Sequence, residues 1–257
     1  MSEPLNHHYI PIFYLKKWAT SEGKLHRYSR LPTNRVVCRL CAPKGTGYEP
    51  LLYTLKGYPK EHQQVIEKGL LSAIDRDGAL ALDNLSQGDW SKLTLESRNA
   101  WTTFLMSLQV RTPEMIARLL SEGRQNLLKN LSDKPEEYEA VRSQDDPATL
   151  PEWAEAHCPA TIENFGKLVF PKLVVHPKIG QAIFGMDWWA IAFPPGTVSL
   201  LTSDRPLIMT RALADQRCII SIPLGPRLAF FAARSRLIAE GMLKVRGNAL
   251  ALSLIHI

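Results

Sequence analysis

An α+β fold, with helices kept apart from strands along the chain, is what this sequence predicts, and three observations predict it. A short N-terminal helix and a hairpin pattern come first, a long helical stretch occupies the middle, and strand-and-turn segments close the chain as a C-terminal antiparallel sheet. Nowhere do strand and helix patterns alternate in the manner that builds a parallel sheet. The 257 residues, 45% apolar and 22% charged, suffice for a sizeable core and exclude global disorder. Residues 1–251 are read as a single domain.

Each element has a local cause. Pro11 biases Ile10 toward extended geometry and suits the first position of a short helix reaching Trp18. Ser21-Glu22-Gly23 breaks that helix. Residues 24–29 alternate as a strand, Leu31-Pro32-Thr33-Asn34 reads as a turn, and residues 35–40 complete a hairpin. From about 60 to 186 the period is helical. Residues 61–85 carry an apolar stripe at Leu71, Ile74, Gly78, Leu82 and Leu85. Thr94 caps a helix through Trp101, Phe104 and Leu108, and Thr112-Pro113-Glu114 reads as a fresh cap and first turn, so the helix kinks or restarts there. Residues 133–150 read as a loop or a poorly packed helix, followed by shorter helices at 151–170 and 177–184. In the last region residues 188–193 and 198–202 form one expected hairpin, and residues 218–222 with 228–232 another. A further helix is expected around 243–250.

Charge is unevenly distributed. Residues 1–60 carry ten Lys/Arg against three acids, residues 61–199 thirteen against nineteen, and residues 200–257 eight against three. Basic ends that met in space would form a positive face for nucleic acid or another phosphate-bearing partner. The competing reading is a set of solvated faces, because no like-charge run exceeds two residues. No apolar run approaches the ~20 residues that span a bilayer, so no membrane partner is expected. The absence of a secretory leader pattern makes the cytoplasm the expected location. Cys38 and Cys41 form a Cys-x-x-Cys pair, but His157-Cys158 is not spaced as a second half-site and residues 36–40 read as strand interior. Two small strand residues is the better reading. Leu252-Ser253-Leu254-Ile255-His256-Ile257 is what a common transposase adapter encodes in frame. It is read as an assembly artefact on a chain truncated at its C-terminus.

Several polar residues stand where apolar ones belong. Asp75 lies on the stripe between Leu71 and Leu82, and burying a lone carboxylate is costly without a cation or donors. Arg111 continues the Trp101–Phe104–Leu108 series, so an Asp75–Arg111 pair across two helices is expected. Asp204 lies in Thr202-Ser203-Asp204-Arg205-Pro206 after an apolar strand, where it serves a site or simply caps the turn. His7 and His8 neighbour each other in an extended segment and so point to opposite faces. Counting back from Pro11, His8 is expected to point inward, toward Asp204 or Asp75, and His7 toward solvent. A carboxylate beside His8 would favour its imidazolium.

The opening Asn6-His7-His8-Tyr9-Ile10-Pro11-x-Phe13-Tyr14-Leu15, then Arg111-Thr112-Pro113, Thr202-Ser203-Asp204-x-Pro206 and Ile222-Pro223-Leu224-x-Pro226, resemble in this order a bacterial family catalogued as domain of unknown function 4238. The resemblance runs from about residue 5 to 250 and implies one full-length domain with no activity attached. It marks His8, Arg111 and Asp204 as the family's polar positions, with a helix acid, usually Glu, at Asp75. Cys38 and Cys41 lie outside it. Two functions remain open. One is an enzyme on a phosphate-bearing or nucleic-acid substrate, with His8 as base or ligand, Asp75 and Asp204 holding a divalent metal or orienting the histidine, and Arg111 balancing charge. The other is a non-catalytic nucleic-acid or protein binding module of a bacterial defence or mobile-element system, its polar residues a buried network.

Overall fold

The computed structural model describes residues 5–87, 93–196, 198–235, 237, 238 and 241. The expected helix at 243–250 and the tail 252–257 lie outside them. β1 (Asn6–His8) leads into α1 (Ile12–Leu15), which a 3-10 turn (Lys16–Trp18) extends. β2 (Leu25–Arg30) and β3 (Val36–Cys41) form the expected hairpin, Leu25 opposite Cys41 and Arg30 opposite Val36. Asn34 turns it at φ 64°, a left-handed conformation that asparagine tolerates. β4 (Tyr48–Pro50) returns to pair antiparallel with β1. The N-terminus is thus a strand in a small sheet.

The helix expected over 61–85 is real but interrupted. α2 (Lys60–Gln63) passes into a π-helical segment (Val65–Leu71) and then α3 (Ser72–Ser86). The Thr94 hydroxyl accepts from the Ser97 amide and starts α4 (Leu95–Val110). Thr112 does the same for Met115 and starts α5 (Pro113–Ser132), so the chain restarts where a proline has no N–H to lose. α6 (Pro135–Glu139), α7 (Leu150–His157), α8 (Pro159–Val174) and α9 (Pro177–Phe184) follow. α5 and α8 cross backbone on backbone, because a Cβ on Gly166 would overlap the Leu119 carbonyl.

β5 (Asp187–Ala192), β6 (Ile208–Met209), β7 (Ile219–Gly225) and β8 (Leu228–Ala233) make an antiparallel sheet in the order β5-β8-β7-β6. The β7–β8 hairpin is the expected one. The other is corrected: β5 pairs with β8, and residues 198–202 do not pair with it. The reason is burial on both faces. β8 is almost wholly buried, with Phe230 edge-on to Trp101 below and Phe231 in a second cluster with Phe193 and Leu200 above. Its apolar run outcompetes the shorter segment, which attaches through the Leu200 amide to the Pro226 carbonyl.

One hydrophobic cluster draws buried residues from Ile10 through Trp101 and Phe170 to Ala232, so the first and last regions share a core. The Tyr14 hydroxyl donates to the Pro223 carbonyl at 2.8 Å and lies 3.0 Å from the Thr202 hydroxyl. Trp18 donates its indole N–H to the Leu200 carbonyl. Three of the sequence motifs therefore meet at one phenol.

Candidate functional site

Arg111 organises the polar interior. It ends α4, and its guanidinium turns back over α3 and β1 with no measurable exposure. Nη1 donates to Asp75 Oδ1 at 2.8 Å and Nη2 to Asp75 Oδ2 at 3.1 Å, the two-pronged geometry a carboxylate best accepts. Nη2 also donates to the His8 carbonyl at 2.9 Å. Below it, the Tyr53 hydroxyl donates to the Arg111 carbonyl at 2.6 Å. Burial works against the Arg111 cation, but Asp75, Tyr53 and Glu67 around it outweigh burial and raise its hold on the proton. The expected Asp75–Arg111 pair is present, with the aspartate at the solvent edge and the arginine sealed behind it.

The histidines exchange the places expected of them. His7 is fully buried, stacks on Tyr53, and accepts the Tyr53 amide at Nδ1 at 2.9 Å. His8 is half-buried, its Nε2 3.3 Å from the Lys44 carbonyl and its ring against Tyr48. The alternation of neighbours holds, but its phase is reversed. A bend at Tyr9 and Ile10 breaks the count from Pro11, and the β1–β4 ladder sets the phase instead. His8 also differs in acidity from the expectation. Burial lowers its pKa, opposed by the Lys44 carbonyl; Arg111 lowers it further and Asp75 raises it, so the neutral imidazole is favoured.

Asp204 does not join this group. It is exposed, and among the described residues no hydrogen bond or ion pair links it to His8, Asp75 or Arg111. It occupies a turn in which the Ser203 hydroxyl accepts the Arg205 amide, as turn residues commonly do. Its influence falls on Tyr9, whose phenol is raised by burial first and then by Asp204, Glu49 and Glu114. Beside that turn a groove of about 310 Å³ is lined by Gln109, Thr112, Glu114, Met115, Arg118 and Arg205. Arg205 pairs across it with Glu114 at 3.3 Å. Asp75 gives both oxygens to Arg111. Among the described residues no three His, Cys, Asp or Glu side chains are grouped to hold a metal ion. Cys38 and Cys41 are free thiols, Cys38 exposed near His26 and Cys41 turned toward the core.

The residue that sequence reasoning missed is Glu67. It lies in the π-helical segment, a geometry frequent at functional sites. Its Oε2 is buried and has no hydrogen-bond partner among the described residues. Burial pushes its carboxyl up to about 7; Arg111 opposes this, Asp75 reinforces it, and the His8 amide opposes it. A signal existed: Glu67 stands four residues before Leu71, on the backward extension of the apolar stripe.

Read together, His8, Glu67 and Asp75 form the outer edge of a knot centred on Arg111, with His7 and Tyr53 within. No helix among the described residues is long and apolar enough to cross a membrane. No curated protein and no solved structure matches the chain. A family model described as "Protein of unknown function (DUF4238)" matches residues 6–244, which include the β1 strand, the Arg111 junction and the Asp204 turn, and the chain therefore belongs to the DUF4238 family.

Proposed function

We propose that this chain is an enzyme that works by proton transfer at the His8–Glu67 edge of the Arg111 knot, on a phosphate-bearing substrate, nucleic acid within that class. The observation that carries the reading is the Glu67 carboxyl, with a buried, unpartnered oxygen and a pKa of about 7. A carboxyl that exchanges a proton near neutrality is what general acid–base chemistry requires, and the fold is destabilised by keeping it there. His8, favoured as the neutral imidazole, is the second proton acceptor. Arg111 touches no solvent and acts as a positioning residue that fixes the His8 backbone and Asp75. The phosphate preference is supported by the basic N-terminal sixty residues and the exposed hairpin arginines. Free thiols at Cys38, Cys41, Cys158 and Cys218 fit a reducing, cytoplasmic setting.

One observation favours the second reading, a binding module without catalysis: Arg111 is sealed, and among the described residues no hydrogen bond or ion pair joins Asp204 to it, to His8 or to Asp75. Turnover on a panel of nucleotides and nucleic acids, with and without Mg²⁺ or Mn²⁺, separates the two. The enzyme reading expects activity that Glu67→Gln lowers by at least a hundredfold, in line with a lost acid or base, while far-UV circular dichroism is unchanged. Retained substrate binding with no turnover by the unaltered chain overturns it in favour of the module.

A further inference from the structure

The β2–β3 hairpin contributes little to the core. Of its strand residues only Leu25, at the root, is buried. Its register sorts the side chains onto two faces. On one face Arg27 stands directly opposite Arg39, above Leu25 and Cys41. On the other, His26 faces Leu40, Tyr28 faces Cys38 and Arg30 faces Val36. Arg27, Arg30, Arg35 and Arg39 are exposed, and among the described residues none pairs with a carboxylate. Like charges directly opposite each other destabilise a ribbon. Tyr28, Val36 and Leu40 are 60%, 56% and 55% exposed on the second face. Neither feature is accounted for by burial in the core.

We infer that this hairpin is a binding site for single-stranded nucleic acid, with a base stacked on Tyr28, a phosphate held by Arg30 on the same face, and further phosphates held by Arg27 and Arg39 where the strand passes round the ribbon to its other face. The inference rests on the phosphate-bearing-substrate reading and gives that substrate a polymer and a surface. The pairing of chemistries is specific. A solvent-facing phenol ring offers a stacking platform to any base whose face is free, the Arg30 guanidinium on the same face meets the adjoining backbone, and Arg27 and Arg39 meet it on the reverse face. A duplex hides the faces of its bases, so Tyr28 discriminates against it. Six residues per strand give a ribbon of ~20 Å, long enough to engage more than one nucleotide. The Arg27–Arg39 repulsion is relieved when an anion lies between or beside the two groups.

The test is fluorescence anisotropy of the full chain with a labelled 20-nucleotide oligothymidylate, the matching oligouridylate and a 20-base-pair duplex. Both single strands should bind more tightly than the duplex, and a difference between them identifies DNA or RNA as the preferred source. Tyr28→Ala should weaken single-strand binding by about tenfold. Arg27→Ala with Arg39→Ala should lower the slope of log affinity against log salt by about 1.4, two single-strand contacts. Lys129→Ala with Lys172→Ala, an equal loss of exposed charge elsewhere, should shift it far less. The inference is overturned if Tyr28→Ala binds as the parent does, or if the duplex binds as tightly as the single strands. It is also overturned if sedimentation finds that Tyr28→Ala converts a dimer to a monomer, because that face is then a contact between copies. Anisotropy reads no turnover. Its failure leaves the Glu67 reading standing, and a Glu67→Gln variant that loses turnover but binds normally leaves the hairpin standing.

Discussion

The Arg111 knot and the β2–β3 hairpin are both arginine sites, yet they treat the guanidinium in opposite ways. At the knot, a single fully buried arginine spends its donors inside the molecule on Asp75, the His8 carbonyl and Ser107. On the hairpin, four arginines stand in solvent and two of them face each other. Buried charge demands local partners because desolvation is expensive, whereas exposed charge is screened and tolerates poor company. The same residue type is therefore a fold-determining device in one place and a free resource in the other. Basic composition alone does not distinguish them; burial and register do.

The largest way to break this contrast is at the knot. Arg111→Met leaves Asp75 without its cation and removes a donor from the His8 carbonyl, and should cost ~3–5 kcal/mol in urea denaturation. Adding Asp75→Leu should recover much of that loss, since an apolar pair needs no compensation. Strictly additive losses in the cycle would show that the two groups do not act as partners.

Glu67 sharpens the comparison from the side of acidity. Its folded pKa of about 7 lies above its ordinary 4.5, so the folded state binds the proton more tightly than the unfolded chain. The stability this supplies is full below the unfolded value and is lost as pH rises through 7. Between pH 5 and 8 the protein should lose on the order of 2 kcal/mol through this group. Glu67→Gln should flatten that dependence and be the more stable protein at pH 8. Parallel pH profiles for the two, measured by denaturant titration, would contradict the assignment.

The smallest effect belongs to the hairpin. Arg39→Glu turns a repulsive cross-strand pair with Arg27 into an attractive one and should stabilise by about 0.5 kcal/mol, a rise in melting temperature of a few degrees at most. A fall would mean that the arginine pair serves the fold after all.

What the sequence disclosed was whatever chemistry acts locally. Thr94 and Thr112 announced their helices because a hydroxyl before a helical run has one favourable partner, the amide three residues on. Asp75 and Arg111 betrayed each other by breaking apolar stripes. The strand partner of β5 was hidden, because pairing with β8 is decided by burial on both faces some forty residues away. The phase of His7 and His8 was hidden by a bend that no single residue signals. Glu67 was signalled only by its place on the backward extension of the apolar stripe; the π-helical segment that carries it and the burial of its Oε2 were not. Asp204 kept its exposed turn, as Ser and Asp before proline commonly do.

The Tyr14 hydroxyl has a consequence for synthesis. Its acceptor, the Pro223 carbonyl, lies 209 residues downstream. A ribosome adding roughly 5–20 residues per second needs about 10–40 s to deliver it. Throughout that interval Ile10, Tyr14 and Leu15, all core residues in the finished protein, have no sheet to pack against. The first motif to emerge is thus among the last to be buried. An apolar segment that waits so long is a ready target for chaperones, and the pace of elongation becomes part of how this fold is reached.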